Sequence, residues 1–291
     1  MTAKKKDDVL LSAIGANDIV DAANFLHLNM IKKFSPQEWQ RVLKLGWIDP
    51  LPNHGFMLKH EDQIVGVLCT IYSTQLVNNK VEQFCGPHTW CVLPDYRKKS
   101  IQLVLAAIKQ KGFHFTMFTP NERALEIFSF LKFKPLGNHT ISLLNLPTLS
   151  SNKVTLFDAE QGVSELSAQD AKCLTDHLPF SWMDFLVFKV DGKSGFIIYK
   201  KQKYKRLPTA RILYISDKEL FFNHWKYIRT HLCVQLGLVT SRIPDMFVKK
   251  SPSFVLARTP DQQRFYLSPT LSADNVEYIY SELLAMDLFD S

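Results

Sequence analysis

The sequence predicts an α+β protein made of two similar halves, each with strands and hairpins followed by helices. Two repeated landmarks and one break point to this. Asp62-x-x-x-Gly66 and Asp191-x-x-x-Gly195 stand 129 residues apart, each beside a hairpin between apolar runs. A helix stopped by glycine and followed by a strand occurs at Gly112 and again at Gly237, 125 residues apart. Between them, residues 145–153 (Asn145 to Lys153) lose periodicity and gather turn formers. The division is placed there, giving a first domain of residues 1–148 and a second of residues 149–291.

In the first half the pattern reads as a strand over 9–14, helices over 18–29 and 36–45, and strands near 55–60, 63–74 and 80–93. Then come a helix over 100–111, a strand over 113–119, a helix over 121–131 and strand pieces out to Leu144. Thr119-Pro120-Asn121-Glu122 reads as a capping box with proline in the first turn of that last helix. In the second half Ser167 and Asp170 box a helix that ends before Pro179, and Asp191-Gly192 turns between strands 185–190 and 195–200. Arg211 to Ile215 is a strand, and Ser216 with Glu219 caps a long helix carrying Phe221, Trp225, Ile228, Leu232 and Leu236 on one face. Gly237 and a strand over 238–242 complete the pattern.

The composition, 46% hydrophobic and 12% aromatic, is that of a packed globular protein and excludes a long disordered region. A net charge of +7 suits an anionic partner, which a small phosphorylated molecule satisfies as well as nucleic acid. Cys69, Cys85, Cys91, Cys173 and Cys233 form no Cys-x-x-Cys pair, which reads as reduced thiols in a cytoplasmic protein. Lys4-Lys5-Lys6 is followed by Asp7-Asp8 rather than by an apolar stretch, so no secretion signal is expected. No stretch approaches the ~18 apolar residues of a membrane span, so no membrane partner is expected either. Zinc spacing, Walker loop, nucleophile elbow and dinucleotide glycine motif are all missing, and no metal is expected.

The chemistry concentrates at Pro94-Asp95-Tyr96-Arg97-Lys98-Lys99-Ser100-Ile101-Gln102. A strand that stops at a proline, makes a basic turn and enters a helix offers N–H groups lacking intrahelical partners. With the positive end of the helix dipole they form an anion site suited to a pyrophosphate. In the second half Asp217 and Glu219 stand at the matching helix start, where carboxylates repel a phosphate.

Residues 9–144 thereby resemble the Gcn5-related N-acetyltransferase (GNAT) superfamily. That family shows a strand, Arg/Gln-x-x-Gly-x-Gly/Ala at a helix start, a further strand, and Asn-x-x-Ala-x-x-x-Tyr. Here Arg97 stands at the first position, Ser100 and Gln102 replace the glycines, and Asn121 and Ala124 are kept. Phe128 replaces the tyrosine, and Lys132 replaces the glycine before Phe133. The resemblance implies two tandem GNAT-like domains, each with a mixed, mostly antiparallel sheet flanked by helices. It implies acyl-CoA as co-substrate, held by Arg97, Lys98, Lys99, Ser100, Ile101 and Gln102. The pantetheine arm would lie along the backbone of Cys91, Val92 and Leu93, with Asn121 and Phe128 on the following helix. His88, nine residues before Arg97, stands where some relatives carry a catalytic histidine; the alternative is a histidine satisfied by backbone partners. Glu82 is the weaker candidate base.

Tandem chains with one intact cofactor site resemble acyltransferases that act on nucleotide-linked amino sugars. The expected function is therefore acyl-CoA-dependent acylation of a dTDP-linked 3-amino-3,6-dideoxyhexose for surface polysaccharide. The alternatives are transfer to a protein or peptide amine, or a non-catalytic binding module. Phe180, Trp182, Tyr199, Tyr204, Trp225 and Tyr227 could stack on base and sugar, or form core. The run Tyr199 to Arg206 interleaves aromatic and basic residues but fits a strand with one charged face, so no nucleic acid is expected. A homo-oligomer is left open.

Overall fold

The structure is a computed structural model and describes residues 8–30, 34–148, 154–248 and 255–287. The first half opens with β1 (Val9–Ala13), α1 (Ile19–Asn29) and α2 (Pro36–Leu43). Ser35 caps α2: its hydroxyl accepts the Glu38 N–H and Glu38 Oε2 accepts the Ser35 N–H, so two orphan donors are satisfied. A meander follows, β2 (Gly55–His60), β3 (Gln63–Val77) and β4 (Lys80–Val92). Its turns at Glu61-Asp62 and Asn78-Asn79 have positive φ throughout, as two-residue hairpins require. A 3₁₀ turn over Pro94–Lys99 leads into α3 (Ile101–Ile108), then β5 (Phe113–Met117), α4 (Glu122–Phe130), β6 (Lys134–Pro135) and β7 (His139–Leu144).

The second half runs β8 (Thr155–Phe157), α5 (Ala159–Gly162), α6 (Ala168–His177), β9 (Asp184–Val190), β10 (Lys193–Tyr204) and β11 (Leu207–Ile215). Then come α7 (Lys218–Asn223), α8 (Trp225–Val234), β12 (Thr240–Pro244), β13 (Val255–Pro260), β14 (Phe265–Leu267) and α9 (Glu282–Ala285). The helix expected from Ser216 is two helices broken at His224. Its cap is Asp217, which accepts the Leu220 N–H, while the Ser216 hydroxyl accepts from Phe196. Asn121, not Thr119, caps α4, accepting the Ala124 N–H at 3.0 Å.

There are two seven-stranded sheets, ordered β1-β2-β3-β4-β5-β14-β6 and β13-β7-β12-β11-β10-β9-β8. Each is antiparallel except for one parallel pair, β4 with β5 and β11 with β12. This is the mixed, mostly antiparallel arrangement expected. The strands are not shared out at 148/149, however. β7 pairs with β12 and β13 in the second sheet, and β14 returns to the first sheet between β5 and β6. Each sheet thus takes the strand beyond its parallel pair from the other half.

The first sheet is covered on both faces, so β3 is buried without alternation from Val65 to Ser73. Met57, Val67, Cys69 and Ile71 pack under α1 and α2, joined by Ala285 and Met286 from the C-terminal segment. Leu58, Leu68 and Tyr72 pack on the other face with α3 and α4. A third cluster fills the second half and takes in Phe118, Tyr278 and Leu284.

Candidate functional site

The site lies where the first sheet opens. β4 and β5 pair only at Gln83–Phe113, Phe84–His114 and Cys85–Phe115, after which β4 continues against β3 alone and β5 against β14. The sequence supplies two reasons. Pro87 has no N–H to give, so β4 at that point is locally an edge. Two residues on, Leu68 faces Trp90 and Cys69 faces His88, leaving Thr89 as an extra residue with φ +49°; this bulge re-aims the strand.

The opening is a cavity of about 390 Å³, within the range of small-molecule sites. His88 and Trp90 of β4, Met117 at the end of β5, and Ala124 and Phe128 of α4 line it. Met30, Phe34, Trp39 and Met286 also contribute, so much of the wall is apolar.

Of the eleven residues expected to bind a cofactor, two line this opening and the other nine lie along β4 beyond it or in the turn and helix start that follow. Asn121 and Phe128 are in its wall. Phe128 is fully buried, edge-on to Phe133 at 4.9 Å, and has no proton to offer. Val92 sits on the divided stretch of β4, and its alternation with Leu93 turns its backbone groups toward the gap. Leu93 does not share that freedom: its N–H donates to Val65 O and its carbonyl accepts from Tyr96. Cys91 lies opposite Val67, with its Sγ 3.7 Å from Asn29 O. Past the strand, Arg97 and Lys98 are exposed, while Lys99, Ser100, Ile101 and Gln102 are half-buried. The Ser100 N–H is taken by Arg97 O at 3.1 Å, so any anion would be met there by the hydroxyl or by neighbouring N–H groups.

His88 is buried, its Nδ1 2.9 Å from Thr89 Oγ1 and its Nε2 without a partner. Burial pushes its imidazole down to about 3, so it is neutral at ordinary pH. Glu82 lies before the opening and bonds His114 Nε2 at 3.1 Å, which makes it a strut rather than a base.

Sequence reasoning missed Glu282. It is fully buried, and its Oε1 accepts the N–H of Phe118 at 3.0 Å and the Thr119 hydroxyl at 3.2 Å. Its Oε2 has no partner and lies 3.6 Å from where a Cβ on Gly86 would be. The carboxyl therefore stands between β5 and β4 where their pairing ends. Burial pushes it up to about 7, against the pull of the donors on Oε1. It stands directly behind the cavity wall, bonded to the wall residue Thr119, and no short-range pattern announces it, since it lies 164 positions from Phe118.

The other half brings less to the opening. Tyr199 and Trp225 are core, the Trp182 indole donates to Leu284 O, and the Tyr204 ring lies 4.0 Å from the Arg242 guanidinium. Lys200 and Lys201 of the basic run pair with Asp287 and Asp184. Among the described residues there is no group of three or more potential metal ligands, and no helix is long and apolar enough to cross a membrane.

No protein-family model and no curated protein sequence matches this chain. Solved structures do. A GCN5-related N-acetyltransferase from Kribbella flavida superposes with a TM-score of 0.61 over 91% of this chain and 72% of its own, at 11% identity. One from Anabaena variabilis gives 0.58 over 89% and 72%, at 10% identity. A probable N-acyltransferase from Enterococcus faecalis gives 0.58 over 88% and 72%, at 11% identity. The chain has the GNAT fold. The likeness extends across both sheets, as expected of two GNAT-like units in tandem. In this chain β4, the basic turn, α3, β5 and α4 follow one another in the order that the sequence motifs had suggested.

Proposed function

We propose that this chain is an N-acyltransferase that moves an acyl group from acyl-coenzyme A to a primary amine. The observation that carries the reading is the apolar cavity between the divided strands β4 and β5, followed directly by the basic turn Pro94–Lys99. Strand edges left without partners can hydrogen-bond an extended pantetheine arm as an added strand would. Arg97 and Lys98, exposed past the end of β4, suit its phosphates. The neighbours of the same fold include N-acetyltransferases. His88, neutral and with a free Nε2 in the wall, offers the amine a hydrogen-bond acceptor. Asp217 at the corresponding helix start of the second half disfavours a second coenzyme.

The acceptor we propose is a nucleotide-linked amino sugar, of the 3-amino-3,6-dideoxyhexose type on dTDP, made for surface polysaccharide in the cytoplasm. The tandem architecture supports this reading. One observation favours a peptide or polyamine instead. A cavity of about 400 Å³ between the halves is lined by Asp170, Asp176, Asp274 and Glu277; Asp176 pairs with Lys172 and Glu277 with Lys218, and the remaining Asp170 and Asp274 suit a cation better than a diphosphate. Thiol release from several acyl-CoAs across dTDP-amino sugars, lysine peptides and polyamines decides between them. Turnover only with peptides or polyamines would discard the sugar; none with any amine would discard the enzyme.

A further inference from the structure

We propose that the carboxylate of Glu282 is the proton acceptor for the attacking amine. This rests on the acyl-transfer reading above and deepens it. A carboxyl group with no access to solvent is ordinarily paired with a cation or fully hydrogen-bonded, because an uncompensated buried charge is costly. Glu282 is neither. It takes part in none of the ion pairs among the described residues, and Oε2 has no hydrogen-bond partner. What it has is a position. Oε1 is fixed by Phe118 and Thr119 at the end of β5, and Oε2 is aimed at Gly86, the first residue of β4 past the pairing with β5. An ammonium entering the divided strands would supply the missing partner.

The surrounding titratable groups leave this role to Glu282. On β4, the Cys85 thiol is raised far above its usual range by burial, and His88 is neutral and too weak a base to deprotonate an ammonium. On β5, His114 is held by Glu82 and Ser268. On its own segment, burial pushes the Tyr278 phenol up to about 12. Cys85, His88 and Tyr278 carry no charge that would lower the Glu282 carboxyl, and one near neutrality is suited to proton transfer at working pH.

In the step itself Glu282 takes one proton from the ammonium. The freed nitrogen lone pair attacks the thioester carbonyl, the C–N bond forms, and the C–S bond breaks. The nitrogen's second proton passes to the departing sulfur, giving amide and free thiol. The proton on Glu282 is passed on through the opening between the strands, by way of water that enters it as the products depart.

The test compares wild type, Glu282→Gln, Glu282→Asp and His88→Asn, each first shown by calorimetry to bind coenzyme A. Acylation of whichever amine the wild type accepts is then followed from pH 5.5 to 9. The expected result is a fall of about 10²–10³-fold in kcat for Glu282→Gln with coenzyme A affinity unchanged. The ionisation limb near pH 7 should vanish in that variant and return, at lower rate, in Glu282→Asp. A Glu282→Gln enzyme that keeps the rate and the limb reduces Glu282 to a wedge between strands. The same loss of limb in His88→Asn alone moves the role to His88. A wild type that binds coenzyme A but acylates no amine refutes the transfer reading, and this proposal with it.

Discussion

Phe118 and Glu282 are 164 positions apart, yet the amide of the first donates to the carboxyl of the second at 3.0 Å. Through that bond the end of the second half reaches into the opened sheet of the first. Trp182 fixes the same segment from the second half by donating to Leu284 O at 2.9 Å, and Gln75 reaches Ile279 O from the first.

Stability should depend on pH through Glu282, with a definite sign. Its folded value lies above the unfolded one, about 7 against 4.5, so the folded state binds the extra proton between them. The stabilisation is complete below about pH 4.5 and lost as the pH rises through 7, by about 3 kcal/mol at ~1.4 kcal/mol per unit. Denaturant melts at pH 5 and pH 8 should show this loss in wild type and not in Glu282→Gln. His88 acts oppositely: its folded value is depressed, so its contribution is present above about pH 6.5 and fades as the pH falls toward 3. His88→Asn should therefore flatten the acid limb.

Reversing charge at Arg97 and Lys98 should weaken coenzyme A binding by about 1–3 kcal/mol, the range for charge-assisted hydrogen bonds. Both side chains are exposed, so the fold should survive the change. Unaltered affinity by calorimetry removes this turn from the cofactor site.

Gly86 offers a steric probe of the opening. A Cβ there would meet Thr116 Oγ1 at 3.5 Å and Glu282 Oε2 at 3.6 Å, ordinary contacts, so Gly86→Ala should be tolerated. Gly86→Leu should push its side chain into the split and lower transfer by about 10²-fold through misplacement. Full turnover of Gly86→Leu would show that chemistry takes place elsewhere.

Phe128→Ala should destabilise the protein by about 3–5 kcal/mol, since a fully buried ring packed against Phe133 is lost and the cavity widens. Thermal unfolding measures the loss. A shift of only a degree or two would mean that the site collapses around the gap.

A chain cut after residue 148 should fail as two separate pieces. The first fragment lacks β14 between β5 and β6, and the second lacks β7 between β12 and β13. Co-expression should restore soluble protein that binds coenzyme A. A soluble 1–148 fragment that binds it alone contradicts this.

What could be read in the sequence follows from the range of the forces involved. The Asp191-Gly192 hairpin, the Gly237 helix stop and the Ser167 cap depend on residues within a few positions, and such signals are legible. Gly112 instead turns the chain into β5, three residues past Lys109, which caps the end of α3. The surroundings of Arg97, Asn121 and Phe128 were found the same way, as spacings on consecutive elements. The exchange of β7 and β14 depends on pairing across more than a hundred residues, which no window sees. Glu282 was hidden for the same reason. Pro87, inside a long strand, was a signal open to reading: it marks the place where β4 has no neighbour on one side.

The exchanged strands also impose an order on synthesis. At ~5–20 residues per second, the segment carrying β14 and Glu282 emerges about six to twenty-seven seconds after residue 148. Until then β5 presents a bare edge and β7 waits for β12. A nascent first half is thus a sticky intermediate rather than a finished domain, and long-range closure of this kind is slow. The expected signature is a refolding phase that appears only when residues 265–287 are present, together with a dependence of soluble yield on chaperones that hold open sheet edges.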